Sequence, residues 1–482
     1  MIMRKFTPLI LLLFVTIFLT AQEKWSLRRA VEYAIENNIS VKQADIEARL
    51  SALTLQQSRL NRLPSLNVSN SSGINFGRSI DPTTNQFTTT QLLSSSFSLS
   101  SGVTVFNFFT IKHNIEGNRL NNEASVLNVE KIKNDVSINV ASSYILVLVA
   151  YEQVRIADVA IQQSLQNLDN TSKRVEAGAL PELNLAELEA QLARDSTTLI
   201  TAQQSVQTNL LQLKALLNLD ASLDFQVETP PLDQVPVLPI TQLDPEYVYT
   251  VALVNLPQQK INDLRIQAGQ SFVRASRGQM YPTISAFGGM GSQISTAEFP
   301  RAGVSVPTGD FAESPAKITI NNVDYFVRTP IVNTPVVGYR DPFGVQISDN
   351  FRQNVGLQLN IPIFNNGQAK TAWQRSKLFV EQYQLQKDQD MILLKQNIYT
   401  AYNDAGAAIQ RFNAGKKGVE TAEKAYFFAQ KRYEQGLLSS IDLLTNQNNL
   451  TRSKLELAQS QVDYIFRLKL LEFYKGEGIS LQ

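Results

Sequence analysis

The chain has no proline between Gly367 and Gly436, and the 68 residues from 368 to 435 are dominated by good helix formers. At about 1.5 Å per residue, an unbroken helix of that length is a rod of roughly 100 Å. A second proline-free stretch, 110–177, precedes it at a constant offset of 258 residues. No compact globular domain holds two such rods, so the helices must stand partly outside any single core.

Both rods end in the same kind of break. In "RYEQGLLSSIDLLTNQ" (432–447), Gly436 suits the left-handed position past a helix end, and Ser439 opens a Ser-x-x-Asp capping box that Asp442 completes. In "RVEAGALPELNLAELE" (174–189), Gly178 ends one helix, and Pro181, with Glu182 beside it, starts the next. Arg174, Glu176, Gly178, Leu180, Leu183 and Leu185 fall under Arg432, Glu434, Gly436, Leu438, Ile441 and Leu443. The spacing predicts two equivalent helical hairpins, with tips near 178–182 and 436–440.

The repeat extends upstream. Ala34, Asn37, Ser58, Pro64, Leu66 and Val68 align with Ala252, Asn255, Ser276, Pro282, Ile284 and Ala286 at an offset of 218, whereas Phe106-Asn107 over Phe364-Asn365 restores 258. The second copy therefore carries 40 extra residues between Pro282 and Phe364, an insertion expected in an exposed loop, about 294–350. Repeat 1 covers 22–222 and repeat 2 covers 246–474. Residues 223–245, with five prolines, read as an extended linker, and 475–482 as a short loose tail.

Each copy reads as helix, strand, loop, strand, long helix, hairpin, helix, with strands about 64–106 in the first copy and 282–364 in the second. The sharpest strand signal is Leu93, Ser95, Phe97, Leu99, Ser101, Val103 and Val105 alternating with Ser94, Ser96, Ser98, Ser100, Gly102 and Thr104. Val355, Leu357, Leu359, Ile361 and Ile363 alternate in the same phase, and both runs end in aromatics. The strands 66–76 and 284–293 are weaker. A ten-residue strand with one apolar and one small polar face is the pattern of a membrane barrel, although a soluble sandwich shares it. The rods favour the barrel. Along 185–216 a heptad seam is expected at Leu185, Leu188, Leu192, Leu199, Ala202, Val206, Leu213 and Leu216, broken by Asp195 and Asn209; Leu443, Leu450, Leu457, Tyr464 and Leu471 continue the pattern in the second copy.

Arg4 and Lys5, the apolar run "FTPLILLLFVTIFLT" and Ala21 have the layout of a secretory signal peptide, residues 1–21. With 44 basic and 43 acidic residues there is no net field to attract nucleic acid. Cysteine is absent, which excludes disulfides, a thiol nucleophile and an N-terminal lipid-bearing cysteine. The lone His113, at the start of a rod, makes an enzyme reading unsupported, and neither a cofactor nor a metal site is expected. Four strands per chain cannot close a barrel, because open edges in lipid leave N–H and C=O groups unpaired at several kcal/mol each. Three copies give twelve strands and an opening, so a symmetric trimer is the expected assembly.

The two hairpins, the "LPSLNVS" and "YPTISAF" strand starts and the "LNIPIFNNG" exit into the second rod together resemble the TolC-like outer-membrane efflux family over nearly the whole mature chain. The resemblance implies an α+β membrane protein: a homotrimer whose twelve-stranded outer-membrane barrel, four strands from each chain, continues into a helical coiled-coil tunnel in the periplasm. It implies the exit duct of a tripartite efflux or type I secretion system, fed by an inner-membrane transporter through a periplasmic adaptor. It also implies a pore constriction at Asp442 and Tyr433, and adaptor contacts at Gly178, Leu180, Gly436, Leu437 and Leu438. Leu438 and Thr445 stand where tightly locked members carry Arg and a second acid, so one acidic ring is expected at the constriction. Self-packing of the tip leucines is the other reading of those side chains. A periplasmic adaptor or coiled-coil scaffold is the rival class; one hairpin, not two in tandem with strands, would mark it.

Overall fold

The computed structural model describes residues 24–80, 85–88, 91–229, 235, 237–296 and 298–477. The expected signal segment and the last five residues of the tail lie outside the described residues. The elements come as two copies. The first comprises α1 (Leu27–Asn37), α2 (Ile39–Leu60), β1 (Ser65–Asn75), the short β2 (Ser79–Ile80) and β3 (Phe87–Thr88), β4 (Leu92–Phe106), α3 (Thr110–Glu176) and α4 (Glu182–Leu217). The second comprises α5 (Pro245–Asn255), α6 (Pro257–Gly278), β5 (Thr283–Ser295), β6 (Phe299–Ala302), β7 (Val306–Ile320), β8 (Val323–Asn333), β9 (Val336–Tyr339), α7 (Phe343–Asp349), β10 (Arg352–Asn360), α8 (Gln368–Glu434) and α9 (Ser440–Lys475).

The helices are duplicated in length. The matched pairs measure 11 residues (α1, α5), 22 (α2, α6), 67 (α3, α8) and 36 (α4, α9). The opening helix of each copy is split where the reading from sequence had it whole. Asn38 explains the first break: its Nδ2 donates to the Leu216 carbonyl (2.7 Å) and its Oδ1 accepts from the Ser40 N–H (2.8 Å), so it serves the turn instead of a helix.

The chain divides into two compact units. One, built from residues 55–117 and 270–377, holds a four-stranded antiparallel sheet in the order β1-β4-β5-β10. The register puts Val68, Leu99 and Met290 in one cross-strand row and Leu357 beside Ala286, so all four strands turn most of their apolar residues to the same face, Phe287 being an exception. That face is bare: Val355 is 90% exposed and Leu357 74%. The opposite face is mostly Ser, Asn, Gly and Gln, with hydroxyl pairs such as Ser69–Ser98 at 2.6 Å, and also carries Phe287 beside Gly356 and Arg352 beside Gly291. β1 and β10 are the edges of the sheet, each paired on one side only among the described residues.

The 40-residue insertion is a folded structure and not the loop expected from sequence. β6 pairs with β9, and β7 with β8 through Asn321-Asn322, both at positive φ (48° and 64°), the backbone of a tight hairpin turn.

The other unit, residues 1–54, 118–269 and 378–482, is helical. Its core gathers Tyr144, Val140 and Leu148 of α3, Leu213 and Leu217 of α4, and Ala30 and Ala34 of α1. The described residues of the proline-rich linker are packed, and Ile240–Gln242 within it form a short 3-10 helix. Phe225 and Val227 are buried in that core, Trp25 exchanges backbone hydrogen bonds with Gln226 and Glu228, and the Tyr144 hydroxyl donates to the carbonyls of Trp25 (3.0 Å) and Glu228 (2.6 Å). Farther along, the Leu238 N–H donates to Glu472 of α9 (2.8 Å), whose carboxylate also pairs with buried Lys469 at 2.8 Å. Side chains such as Phe225 anchor the segment.

Candidate functional site: the paired hairpin tips

The α3–α4 and α8–α9 turns have the same backbone. Gly178 has φ 71° and Gly436 φ 78°, in the region where a Cβ is strained. In each, the residue after the glycine donates to the carbonyl five residues back (Ala179 to Arg174, Leu437 to Arg432, both 2.8 Å), which closes the helix end. The next helices start differently. Pro181 is the residue before α4, with no side-chain cap, whereas Ser439 Oγ accepts from the Asp442 N–H (3.2 Å) and donates to the Asp442 carboxylate (2.7 Å). Asp442 thus bonds the Ser439 hydroxyl, where a capping box would use its backbone N–H.

Asp442 is exposed on the first turn of α9. Tyr433 is not: it is 5% exposed, its hydroxyl lies 2.9 Å from that of Thr171 on α3, and Arg174 donates to its carbonyl (2.9 Å) with the guanidinium 5.6 Å from its ring. The resemblance implies a constriction at Tyr433; within this chain its side chain is buried against α3. The residue joins one hairpin to the other, because a phenol buried beside a helix needs a partner for its O–H and Thr171 supplies it.

The leucines divide likewise. Leu180 and Leu438, equivalent positions, pack against the buried cluster of Tyr426, Ala429, Tyr433, Leu443 and Leu450. Self-packing therefore accounts for these two. Leu437 remains 65% exposed, and so do Leu183 and Ile441, one turn farther on and equivalent to each other. Leu183 and Ile441 were in the aligned pattern from the start, but the alternation of the repeat does not say which apolar positions face away from the bundle.

Behind the tips the four helices are joined by polar side chains. Gln447 of α9 donates to Ser164 of α3 (2.7 Å), and Asn167 of α3 donates to Gln447 (3.1 Å) and to the Tyr426 hydroxyl of α8 (3.3 Å). Ser164 donates to Asp195 of α4 (2.5 Å). Gln191, also on α4, donates to Asp195 (2.8 Å) and to Asn448 of α9 (3.0 Å), and Ser440 donates to Glu187. Ser164, Thr171, Gln191 and Gln447 are all buried. Burial pushes the Tyr426 hydroxyl above its ordinary pKa, against the opposing effect of Asn167, so it stays a neutral donor and acceptor. The expected seam of α4 is thereby revised. Leu188, Gln191, Asp195, Ala202, Val206, Leu210, Leu213, Lys214 and Leu217 are its buried positions, while Leu185, Leu192, Leu199 and Leu216 are half-buried. Asp195 belongs to the seam because two donors satisfy its carboxylate.

The duplicated architecture has known counterparts. The chain is 17% identical to the Campylobacter jejuni CmeC outer membrane channel, covering 95% of this chain and 86% of that one with a TM-score of 0.71. With the outer membrane protein VceC of Vibrio cholerae the identity is 15%, the coverage 94% and 96%, and the TM-score 0.70. In sequence, it is 24% identical over 123 residues to the alkaline protease secretion protein AprF of Pseudomonas aeruginosa, a match spanning 26% of each chain. Residues 30–219 and 248–474, one segment for each copy, match the outer membrane efflux protein family. With both copies matched, the chain belongs to the outer membrane efflux protein family.

Proposed function

We propose that the protein is the outer-membrane exit duct of a tripartite efflux or type I secretion system. Three copies complete a twelve-stranded barrel, and the duct passes small molecules or polypeptides handed on by an inner-membrane transporter through a periplasmic adaptor. One observation carries the assembly. The four-stranded sheet has a bare apolar face, a polar face and two unpaired edges, which suits one third of a closed barrel in lipid and has no role in an adaptor or coiled-coil scaffold. Three exposed Asp442 carboxylates then surround the pore axis as a single acidic ring. Leu437, Leu183 and Ile441, the exposed apolar side chains of the tips, meet the adaptor at the turns set by Gly178 and Gly436.

The test is assembly and conduction. The protein should stay in the outer membrane after a carbonate wash, run as a trimer in mild detergent, and open ion-conducting channels in planar bilayers. A folded monomer in detergent, or release by carbonate, overturns this reading.

A further inference from the structure

The polar face of the sheet carries one unexplained residue. Strands β1, β4, β5 and β10 contain no Asp, Glu, Lys or His, and Arg352 is their sole charged residue. The register sets Arg352 beside Gly291, Gly291 beside Ser98, and Ser98 beside Ser69, a row on the small polar face. Gly291 beside it has no side chain, and a Cβ there would stand 2.7 Å from the Phe97 carbonyl oxygen, so that position of the row takes only glycine. Arg352 Nη2 donates to Gln293 Oε1 (2.9 Å), a neutral acceptor that leaves the positive charge in place.

We infer that three Arg352 guanidinium groups form a cationic ring inside the barrel, which makes the barrel lumen select for anions and for anionic cargo. This rests on the trimeric duct proposed above. A ring of like charge on a low-dielectric wall concentrates counter-ions, and the glycine and serines of its cross-strand row supply no opposing charge.

The test uses the full-length channel in planar bilayers under a potassium chloride gradient, with citrate as the multivalent anionic probe. Arg352→Gln should move the reversal potential toward cation preference and weaken citrate block by about threefold, while Arg352→Lys keeps both near the unmodified values. On unmodified protein alone, citrate should reduce the current and added salt should relieve the block. Channels of Arg352→Gln with unchanged reversal potential, or an unmodified channel indifferent to citrate, overturn the ring while leaving the duct standing. Failure of the unmodified protein to conduct overturns the duct, and the ring with it.

Discussion

The hydroxyls of Tyr433 and Thr171 lie 2.9 Å apart, in a buried position, and join the end of α8 to α3. The pair ties the two hairpins of one chain together at the level where the turns begin.

Tyr433→Phe keeps the ring in its apolar cluster and removes only this bond. A loss of about 1–2 kcal/mol of local stability is expected, the cost of leaving a buried hydroxyl without its partner. Limited proteolysis at the tips should quicken while the trimer stays intact and the single-channel ion preference is unchanged. A changed ion preference with unchanged proteolysis would return Tyr433 to the pore.

Asp442 holds the start of α9 through Ser439 and, as proposed, rings the pore. Asp442→Asn removes the charge and keeps a side-chain acceptor, so the helix start loses on the order of 1 kcal/mol or less. The channel should become less cation-preferring and less sensitive to multivalent cations. Glu434→Gln, at a site already paired with Lys431 at 2.9 Å, should change both less. Lower thermal stability with unaltered selectivity would reduce Asp442 to a cap.

A tag inserted between Asn321 and Asn322 should be accessible on intact cells without loss of export. The turn is the tip of the β7–β8 hairpin, with its side chains exposed. Gly309 lies within β7 at φ 89° and tolerates a side chain poorly, so it is the worse insertion point. Labelling that needs a permeabilised outer membrane would invert the topology.

Lys469→Met leaves the buried Glu472 carboxylate with the Leu238 N–H as its neighbour and without its cation. A destabilisation of roughly 3–5 kcal/mol is expected from an uncompensated buried charge. Thermal unfolding of the purified protein reads it. A loss below about 1 kcal/mol would mean that water reaches the pair and that the linker is held by its other contacts, such as those of Phe225 and Val227.

The duplicated helices, the glycine turns and the strand phase were legible because each is written in local sequence: proline-free runs, glycine before a capping residue, alternation at period two. The polar links of the bundle were not. Gln447 and Asn167 look like surface residues when either helix is read by itself, and their partners lie 280 residues apart in the chain. The linker's burial was hidden for a related reason, since proline content reports backbone conformation and not what Phe225 and Val227 find to pack against. The insertion concealed a hairpin because Pro307, Pro330 and two register shifts interrupt the alternation of β7 and β8.

Apolar packing alone would let neighbouring helices settle at several axial positions for similar energy, because contact between methyl groups has little directional preference. The bonds from Gln447 to Ser164, from Gln191 to Asn448 and from Ser164 to Asp195 admit no such latitude. A slip of one residue, about 1.5 Å, would pull these donors from their acceptors together. The buried amides therefore act as a key cut to one depth: they index α3, α4, α8 and α9 against each other, so that two turns encoded 258 residues apart reach the same level.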